Sequence, residues 1–312
     1  MTLHHRVIGI DVSKDHLDLH DTAGGKTWRM ANRPEEIGQW LVGLEDGEAF
    51  VVFEATGGYD TELWLALQDK GRGFARVNPA QARAFARARG YLAKTDRIDA
   101  RMLAEMGLRL QPAPTPVTCP QRLELQALGR RRTQLVDMRK QEKTRLKQTR
   151  EPELASDIED HLAWLTRSIK AIETRIDRLI RTTVELADNY RLIISVPGIG
   201  PVTAATLLAL MPEIGQTTRR AVAALAGLAP INNDSGRKRG KMTIRGGRRE
   251  VRRNLYMAAV AAIRGNNQFA AFYRSLKDRG MPNKVALIAM ARKMIVTVNA
   301  IVKTRTPFAK PA

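Results

Sequence analysis

The 312-residue chain has a single cysteine, Cys119, and few aromatic residues, 5% of the total. A lone cysteine excludes an intramolecular disulfide and a cysteine-built zinc site, and it fits a reducing compartment, so a cytoplasmic location is expected. With so few rings, the cores must be built from Leu, Ile, Val and Ala, a composition that favours helices. No run of roughly 18 apolar residues offers a membrane span. No leader-like segment opens the sequence either: residues 1–6 pass directly into an apolar strand. Low-complexity stretches and internal repeats are likewise missing. What remains is a chain with 44% hydrophobic residues. It is long enough for two modest domains, or for one domain with an extended helical insertion.

Charge is the loudest compositional signal. The formal net charge is +20, a field that attracts polyanions, of which nucleic acid is the commonest in a cell. An anionic membrane surface is the main competitor, but no spanning segment supports it. The charge is also uneven. Residues 1–110 carry 15 Lys+Arg against 16 Asp+Glu, so the remainder carries +21. A near-neutral module joined to a basic one suggests a division between chemistry and nucleic-acid grip.

Residues 6–13 form an apolar run ending near Asp11, residues 16–21 alternate apolar and polar, and residues 27–32 supply a third strand candidate. Gly24-Gly25 provides the hairpin turn between the last two. Pro34 opens a helix with Ile37, Trp40, Leu41 and Leu44 on one face, and residues 49–54 form a short buried strand. A helix carrying Leu63, Trp64 and Leu67 follows, then a strand over 74–77 closed by Asn78-Pro79. Antiparallel strands followed by strand–helix alternation predict an α/β sheet covered by helices.

From about residue 120 the pattern changes. Leu128, Leu135 and Met138 recur at heptad-like intervals, and after Pro152 the series Leu162, Leu165, Ile169, Ile172, Ile176 and Leu179 advances in steps of three and four. That is a coiled-coil seam, formed either between chains or as a hairpin; the alternative is a long amphipathic helix packed within its own chain. A dimer or tetramer is therefore expected. Beyond Arg191 the sequence is helical, short-looped and basic, and a helix from Lys284 to Lys303, with apolar Val285, Ile288, Val296 and Ile301, looks like a docking helix. The expected domains are 1–115, a helical segment 116–188, and a basic module 189–312.

Four carboxylates stand out. Asp11 and Glu54 each follow an apolar strand, Ile8-Gly9-Ile10 and Val51-Val52-Phe53, where a charge is costly unless it is paired or bound to metal. Asp96 and Asp99 lie three positions apart and share one side of a helix if this segment opens one. Gathered together, the four would repel one another without cations. Hard divalent metals such as Mg²⁺ prefer oxygen ligands and bridge carboxylates to phosphates. Two such ions would stabilise the attacking and leaving oxygens of a phosphoryl displacement. Taken singly, Asp96 could be a helix cap and Asp11 could pair with Arg76 or Lys94.

In the basic module, Ser195-Val196-Pro197-Gly198-Ile199-Gly200-Pro201 resembles a helix-hairpin-helix turn. Gly198 and Gly200 would expose backbone N–H groups to the DNA phosphates, reading the backbone without reading bases. A basic run follows, comprising Arg237, Lys238, Arg239, Lys241, Arg245, Arg248, Arg249, Arg252 and Arg253. Gly236, Gly240, Gly246 and Gly247 within it let backbone approach a phosphate closely. Ser235 sits in a short polar turn just before this run. From chemistry alone it is a turn residue, since a serine hydroxyl needs an activating base or metal and no histidine lies nearby in sequence.

Several of these segments resemble the insertion-sequence one-ten transposase family. The N-terminal ones are Gly9-Ile10-Asp11, Phe53-Glu54-Ala55-Thr56-Gly57-Gly58-Tyr59, Val77-Asn78-Pro79 and Lys94-Thr95-Asp96-x-x-Asp99-Ala100. The C-terminal ones are Gly227-Leu228-Ala229-Pro230, Ser235-Gly236 and Arg252-Arg253-x-Leu255-Tyr256-Met257. The resemblance runs over nearly the whole chain, in the same motif order. It implies an α/β N-terminal domain of ribonuclease-H/RuvC-like fold, a helical coiled-coil segment, and a mostly α-helical C-terminal domain. It implies that Asp11, Glu54, Asp96 and Asp99 form an Asp-Glu-Asp-Asp (DEDD) quartet holding Mg²⁺, and that Ser235 is a nucleophile forming a phosphoserine bond to DNA. A composite site between subunits and guidance by an element-encoded bridge RNA are further implications of the resemblance. Two other readings stay open: a metal-dependent junction nuclease acting by hydrolysis, and a non-catalytic nucleic-acid-binding protein.

Overall fold

A computed structural model describes residues 4–44, 49–91, 96–117, 119–232, 240 and 242–309. The chain divides into two compact units, with the boundary after Val117.

The first unit is built on a five-stranded sheet. β1 (Val7–Val12), β2 (His16–Asp21) and β3 (Thr27–Ala31) form an antiparallel meander, with Gly24 and Gly25 of its second turn at positive φ. After α1 (Pro34–Val42), the strand β4 (Phe50–Glu54) pairs parallel with β1. After α2 (Thr61–Asp69), β5 (Phe74–Val77) pairs parallel with β4, giving the order β3-β2-β1-β4-β5. β1 and β4 read as continuous apolar runs because both of their faces are covered. α3 (Pro79–Ala88) starts at a proline and is capped by Asn78, whose side chain accepts the Ala80 N–H at 2.8 Å. The α/β expectation for this region is borne out.

α4 (Asp96–Leu110) packs against β1, β2 and β4. Two glycines allow the close approach. A Cβ on Gly9 would stand 2.9 Å from the Ala104 Cα, and one on Gly107 would stand 2.6 Å from a Val7 methyl and 2.8 Å from a Val52 methyl. The helix therefore runs antiparallel to β1, with its N-terminal turn toward the end of the strand that carries Asp11.

The second unit is helical: α5 (Pro120–Leu146), α6 (Pro152–Thr182), α7 (Val184–Ile194), α8 (Pro201–Leu210) and α9 (Arg219–Leu225). The short antiparallel pair β6 (Pro230–Ile231) and β7 (Thr243–Ile244) follows, then α10 (Arg249–Ala262), α11 (Gln268–Asp278) and α12 (Asn283–Thr304). α5, α6 and α8 each begin at a proline, whose fixed φ and missing N–H suit the first helical position.

α5 and α6 form a hairpin within the chain. Leu165, Ile169, Ile176 and Ile180 are buried along α6, facing Leu125, Leu128 and Leu135 of α5, and Arg132 reaches Glu173 at 2.6 Å. Met138 does not join the seam and is 43% exposed. The buried row of α5 instead advances from Leu135 to Glu142, whose charge is met by Arg145 at 2.5 Å. The lower ends of this hairpin share one core with α7–α12.

α12 docks as expected: Ile301 is buried, and Ile288 and Val296 pack against the core. Ala286, Met290, Ala291, Met294, Ile295 and Val298 are buried, whereas Val285 is 52% exposed. Among the described residues α12 is also the helix long and apolar enough to cross a membrane by length and composition, a run that was not anticipated. Its burial in the core explains its apolarity.

Candidate active site

Strand register places the N-terminal acids on one face. Side chains along a strand alternate between faces, so Val7, Gly9 and Asp11 of β1 share the face covered by α4. Asp11 pairs directly with Asp18 on β2, and Asp18 with Arg29 on β3, so these three form one row across the sheet. Ile10 is level with Phe53 of β4, which puts Glu54 beside Asp11 on the same face. Asp96 and Asp99 occupy the first turn of α4, where unpaired backbone N–H groups favour negative charge.

The acids feel one another. Burial pushes the Asp11 carboxyl up to about 6, and the negative charges of Asp99, Asp96, Asp18 and Glu54 add to the shift. All four sequence-derived acids thus act on one place, and Asp18 is a fifth that was not anticipated. The alternation of Leu17-Asp18-Leu19 assigns Asp18 to solvent, but α4 covers that face and leaves it 3% exposed. The tight β1–β2 turn, closed by Ser13 N–H to the His16 carbonyl at 3.0 Å, was the signal that sets Asp18 opposite Asp11.

Arg29 compensates this charge. Its Nε donates to both Asp18 oxygens at 3.1 Å, and its Nη2 donates to Asp18 Oδ2 at 2.7 Å and to Asp96 Oδ2 at 3.0 Å. An all-carboxylate donor set suits a hard divalent cation. Among the described residues no three acids are drawn closely enough together to enclose an ion as they stand. Asp11, Glu54, Asp96 and Asp99 are the residues that would hold such a cation.

The loop after Glu54 is fixed from beneath. Asp60 is fully buried and accepts from Thr56 Oγ1 at 3.0 Å and from the Arg76 guanidinium, while its own N–H donates to Thr56 Oγ1 at 3.0 Å. Arg76 therefore pairs with Asp60 rather than with Asp11. Lys94, the other partner considered for Asp11, lies outside the described residues. Asn32 Nδ2 donates to the carbonyls of Ser13 and Tyr59, each at 2.8 Å, and so ties the turn after β1 to the loop before α2.

In the second unit, Ser235, Arg237, Lys238, Arg239 and Lys241 lie outside the described residues, in a segment bracketed by the paired β6 and β7. The other basic residues fall into two groups. Arg248 grips Glu213 with Nη2 at 2.6 Å and Nη1 at 2.8 Å, and Arg252 donates to the Gly246 carbonyl at 2.7 Å. Burial raises the Glu213 carboxyl, but hydrogen bonds and charge from Arg248 outweigh it and hold the group below its ordinary value. Arg245, Arg249 and Arg253 are exposed, and only Arg253 has an ion pair among the described residues, to Asp137 at 3.9 Å. Gly198, at φ +87°, packs its Cα side against α10, where a Cβ would stand 2.5 Å from the Ala258 carbonyl oxygen. Gly200 caps α8 with open space around it.

Comparison with known proteins covers both units. The profile described as "Transposase IS116/IS110/IS902 family" matches residues 190–274, and an IS110-type DEDD domain profile, described as "Transposase", matches residues 8–149. Two proteins each named "Pilin gene-inverting protein" align over 97% of this chain and 97% of their own length. They are from Moraxella bovis, at 28% identity, and Moraxella lacunata, at 29%. An uncharacterized 44.8 kDa protein of insertion element IS116 from Streptomyces clavuligerus is 30% identical over 46% of this chain and 37% of its own. Among solved structures, T. thermophilus RuvC in complex with a Holliday junction substrate aligns with 36% of the chain and 99% of its own, at 18% identity. Its TM-score is 0.28, too low to establish a shared fold. The two profiles match separate segments in order and together cover more than two thirds of the sequence, so the chain belongs to the IS116/IS110/IS902 family of DNA transposases.

Proposed function

We propose that this transposase cuts and rejoins DNA through a covalent bond to Ser235, assisted by a divalent cation, Mg²⁺, at the carboxylate centre. The observation that carries the metal half is the raised Asp11 carboxyl, pushed to about 6 by burial and by four neighbouring acids. Such a cluster is stabilised by a hard cation. The cation would supply charge neutralisation at a scissile phosphate. Asp11 and Glu54 hold their places from the sheet, and Asp96 and Asp99 from the first turn of α4.

In the serine half, the Ser235 Oγ attacks phosphorus and forms a P–O bond as the bond to one DNA fragment breaks. The serine gives up its proton and the departing oxygen gains one, so the step is balanced. The phosphodiester energy stays in the phosphoserine bond, and a hydroxyl from another strand reverses the step without ATP. Support for rejoining over simple hydrolysis comes from the relatives named as gene-inverting proteins, which align over nearly the whole chain. An inversion demands both cutting and resealing.

Arg245, Arg249 and Arg253 are the described exposed cations that would meet DNA phosphates, together with the basic residues 237–241 and the turn at Gly198 and Gly200. In this reading one subunit's serine serves another's acids in a dimer or tetramer, and a bridge RNA guides target choice.

A denaturing-gel search for a protein–DNA adduct tests the mechanism. It would combine the purified chain, Mg²⁺, DNA from the element's ends and RNA transcribed from its flank. The expected result is an adduct absent from Ser235→Ala and from Asp11→Ala. Cleavage without an adduct, indifferent to Ser235→Ala, would replace this reading with hydrolysis at the carboxylates.

A further inference from the structure

We propose that Arg29 is a resident counter-cation of the carboxylate centre, competing with the divalent ion for Asp96. This rests on the reading of the acids as a cation site and adds a positioning residue to it.

The geometry is unequal in a way that matters. Asp18 anchors Arg29 through three contacts of 2.7 to 3.1 Å and is itself 3% exposed. Asp96 meets the same Nη2 at 3.0 Å with its side chain 60% exposed. A buried carboxylate that lost this countercharge would pay a large desolvation penalty, so the Asp18–Arg29 pair stays together. An exposed carboxylate–guanidinium contact contributes little, because water screens it. Asp96 is therefore the partner that can leave.

Register explains why the competition is built in. Asp11, Asp18 and Arg29 lie in one row across three strands, so the guanidinium reaches the first turn of α4 from the far side of the acids. A cation that drew on Asp96 would have to take a carboxylate that Arg29, reaching across from β3, already holds. A fixed positive charge beside the site also opposes cation entry directly. At a separation of several ångströms in a partly solvated site, removing it should strengthen divalent binding about tenfold.

The test is a Mn²⁺ titration of the full chain without nucleic acid, following the free ion by electron paramagnetic resonance. Arg29→Gln, which keeps a hydrogen bond to Asp18 and drops the charge, is expected to lower the Mn²⁺ Kd about tenfold. On an Asp96→Asn background the same substitution is expected to give a smaller gain, because only the direct effect of the charge is left to remove. Structural damage weakens binding, so a gain separates the two roles. If Arg29→Gln does not fold, Asp18→Asn is compared with Asp18→Asn/Arg29→Gln, neither of which leaves a buried charge unpaired; the double variant should bind more tightly. An unchanged or higher Kd in the folded variants overturns the proposal, as does a full gain that survives Asp96→Asn. A wild-type chain that binds no Mn²⁺ overturns the metal reading along with it, whereas Mn²⁺ bound with a Kd unmoved by Arg29→Gln overturns this proposal alone.

Discussion

Gly9 of β1 lies against the backbone of Ala104 in α4, so close that a Cβ on Gly9 would stand 2.9 Å from the Ala104 Cα and clash harder still with the Ala100 carbonyl. No flexible side chain can move aside there, because the obstacle is backbone. The sheet and the helix carry different members of the quartet, and this contact sets their spacing.

Gly9→Ala is accordingly expected to cost about 1–3 kcal/mol of unfolding free energy, the usual range for overpacking. It should also weaken Mn²⁺ binding by lifting Asp96 and Asp99 away from Asp11 and Glu54. The nearest atoms to a Cβ at Gly107 are methyl groups of Val7 and Val52. A comparable stability loss with unchanged Mn²⁺ affinity is expected for Gly107→Ala. Urea unfolding and the Mn²⁺ titration, run on both variants, check the contrast.

Asp11 makes stability depend on pH in an unusual direction. Its folded value of about 6 lies above the ordinary 3.8, so the folded chain holds this proton more tightly than the unfolded chain does. The resulting stabilisation is full below pH 3.8 and is lost as pH rises through 6. Asp11→Asn removes the effect. In EDTA the variant should be more stable than wild type at pH 7, by about 1–2 kcal/mol once solvent screening is allowed for. The difference should shrink toward pH 4 (thermal melts across that range would read it). Equal stability at pH 7 would mean that Asp11 is not crowded by its neighbours.

The sequence exposes the quartet because each acid breaks a local pattern. Asp11 and Glu54 end apolar strands where a charge is expensive, and Asp96 and Asp99 are spaced for one helical face. Asp18 is hidden for the opposite reason: it obeys the alternation of β2, and only the tertiary placement of α4 makes it a buried charge. Arg29 is equally invisible, since its register with Asp18 depends on the length of the β2–β3 turn. In the second unit, the step of three and four in α6 revealed the packing face. Met138 misled because a heptad-like apolar position says nothing about which residue the partner helix reaches. Arg248 looked like one more cation in a basic run, and its tie to Glu213 spans a sequence separation that no local pattern encodes.

The Asp60–Arg76 pair should be the structural anchor of the Glu54 loop. Asp60 is fully buried while Arg76 is partly exposed, so losing each partner has different consequences. Arg76→Ala strands a buried charge and is expected to cost about 3–5 kcal/mol. Asp60→Asn removes that charge, keeps a hydrogen bond to Thr56, and should cost less. Urea unfolding of the two variants gives the order, and the reverse order would place the pair's value in Asp60's charge.

Arg248 and Arg249 are adjacent in sequence but should separate cleanly by experiment. Arg248 spends two guanidinium nitrogens on Glu213, at 2.6 and 2.8 Å, and so joins the turn after α8 to the start of α10. Arg249 is exposed and has no ion pair among the described residues. Arg248→Ala should therefore lower stability, by about 1–2 kcal/mol for a half-buried charged hydrogen bond. Because Glu213 is held below its ordinary value, this loss is present above the usual glutamate range and fades as pH falls through the folded value. Arg249→Ala should leave the melting temperature unchanged and weaken binding to duplex DNA of any sequence. If Arg249 meets a phosphate, the slope of log affinity against log salt should fall by about 0.9. A variant pair in which Arg248→Ala alters only the salt slope would show that the Glu213 contact yields to DNA, and Arg248 would then belong with the exposed arginines.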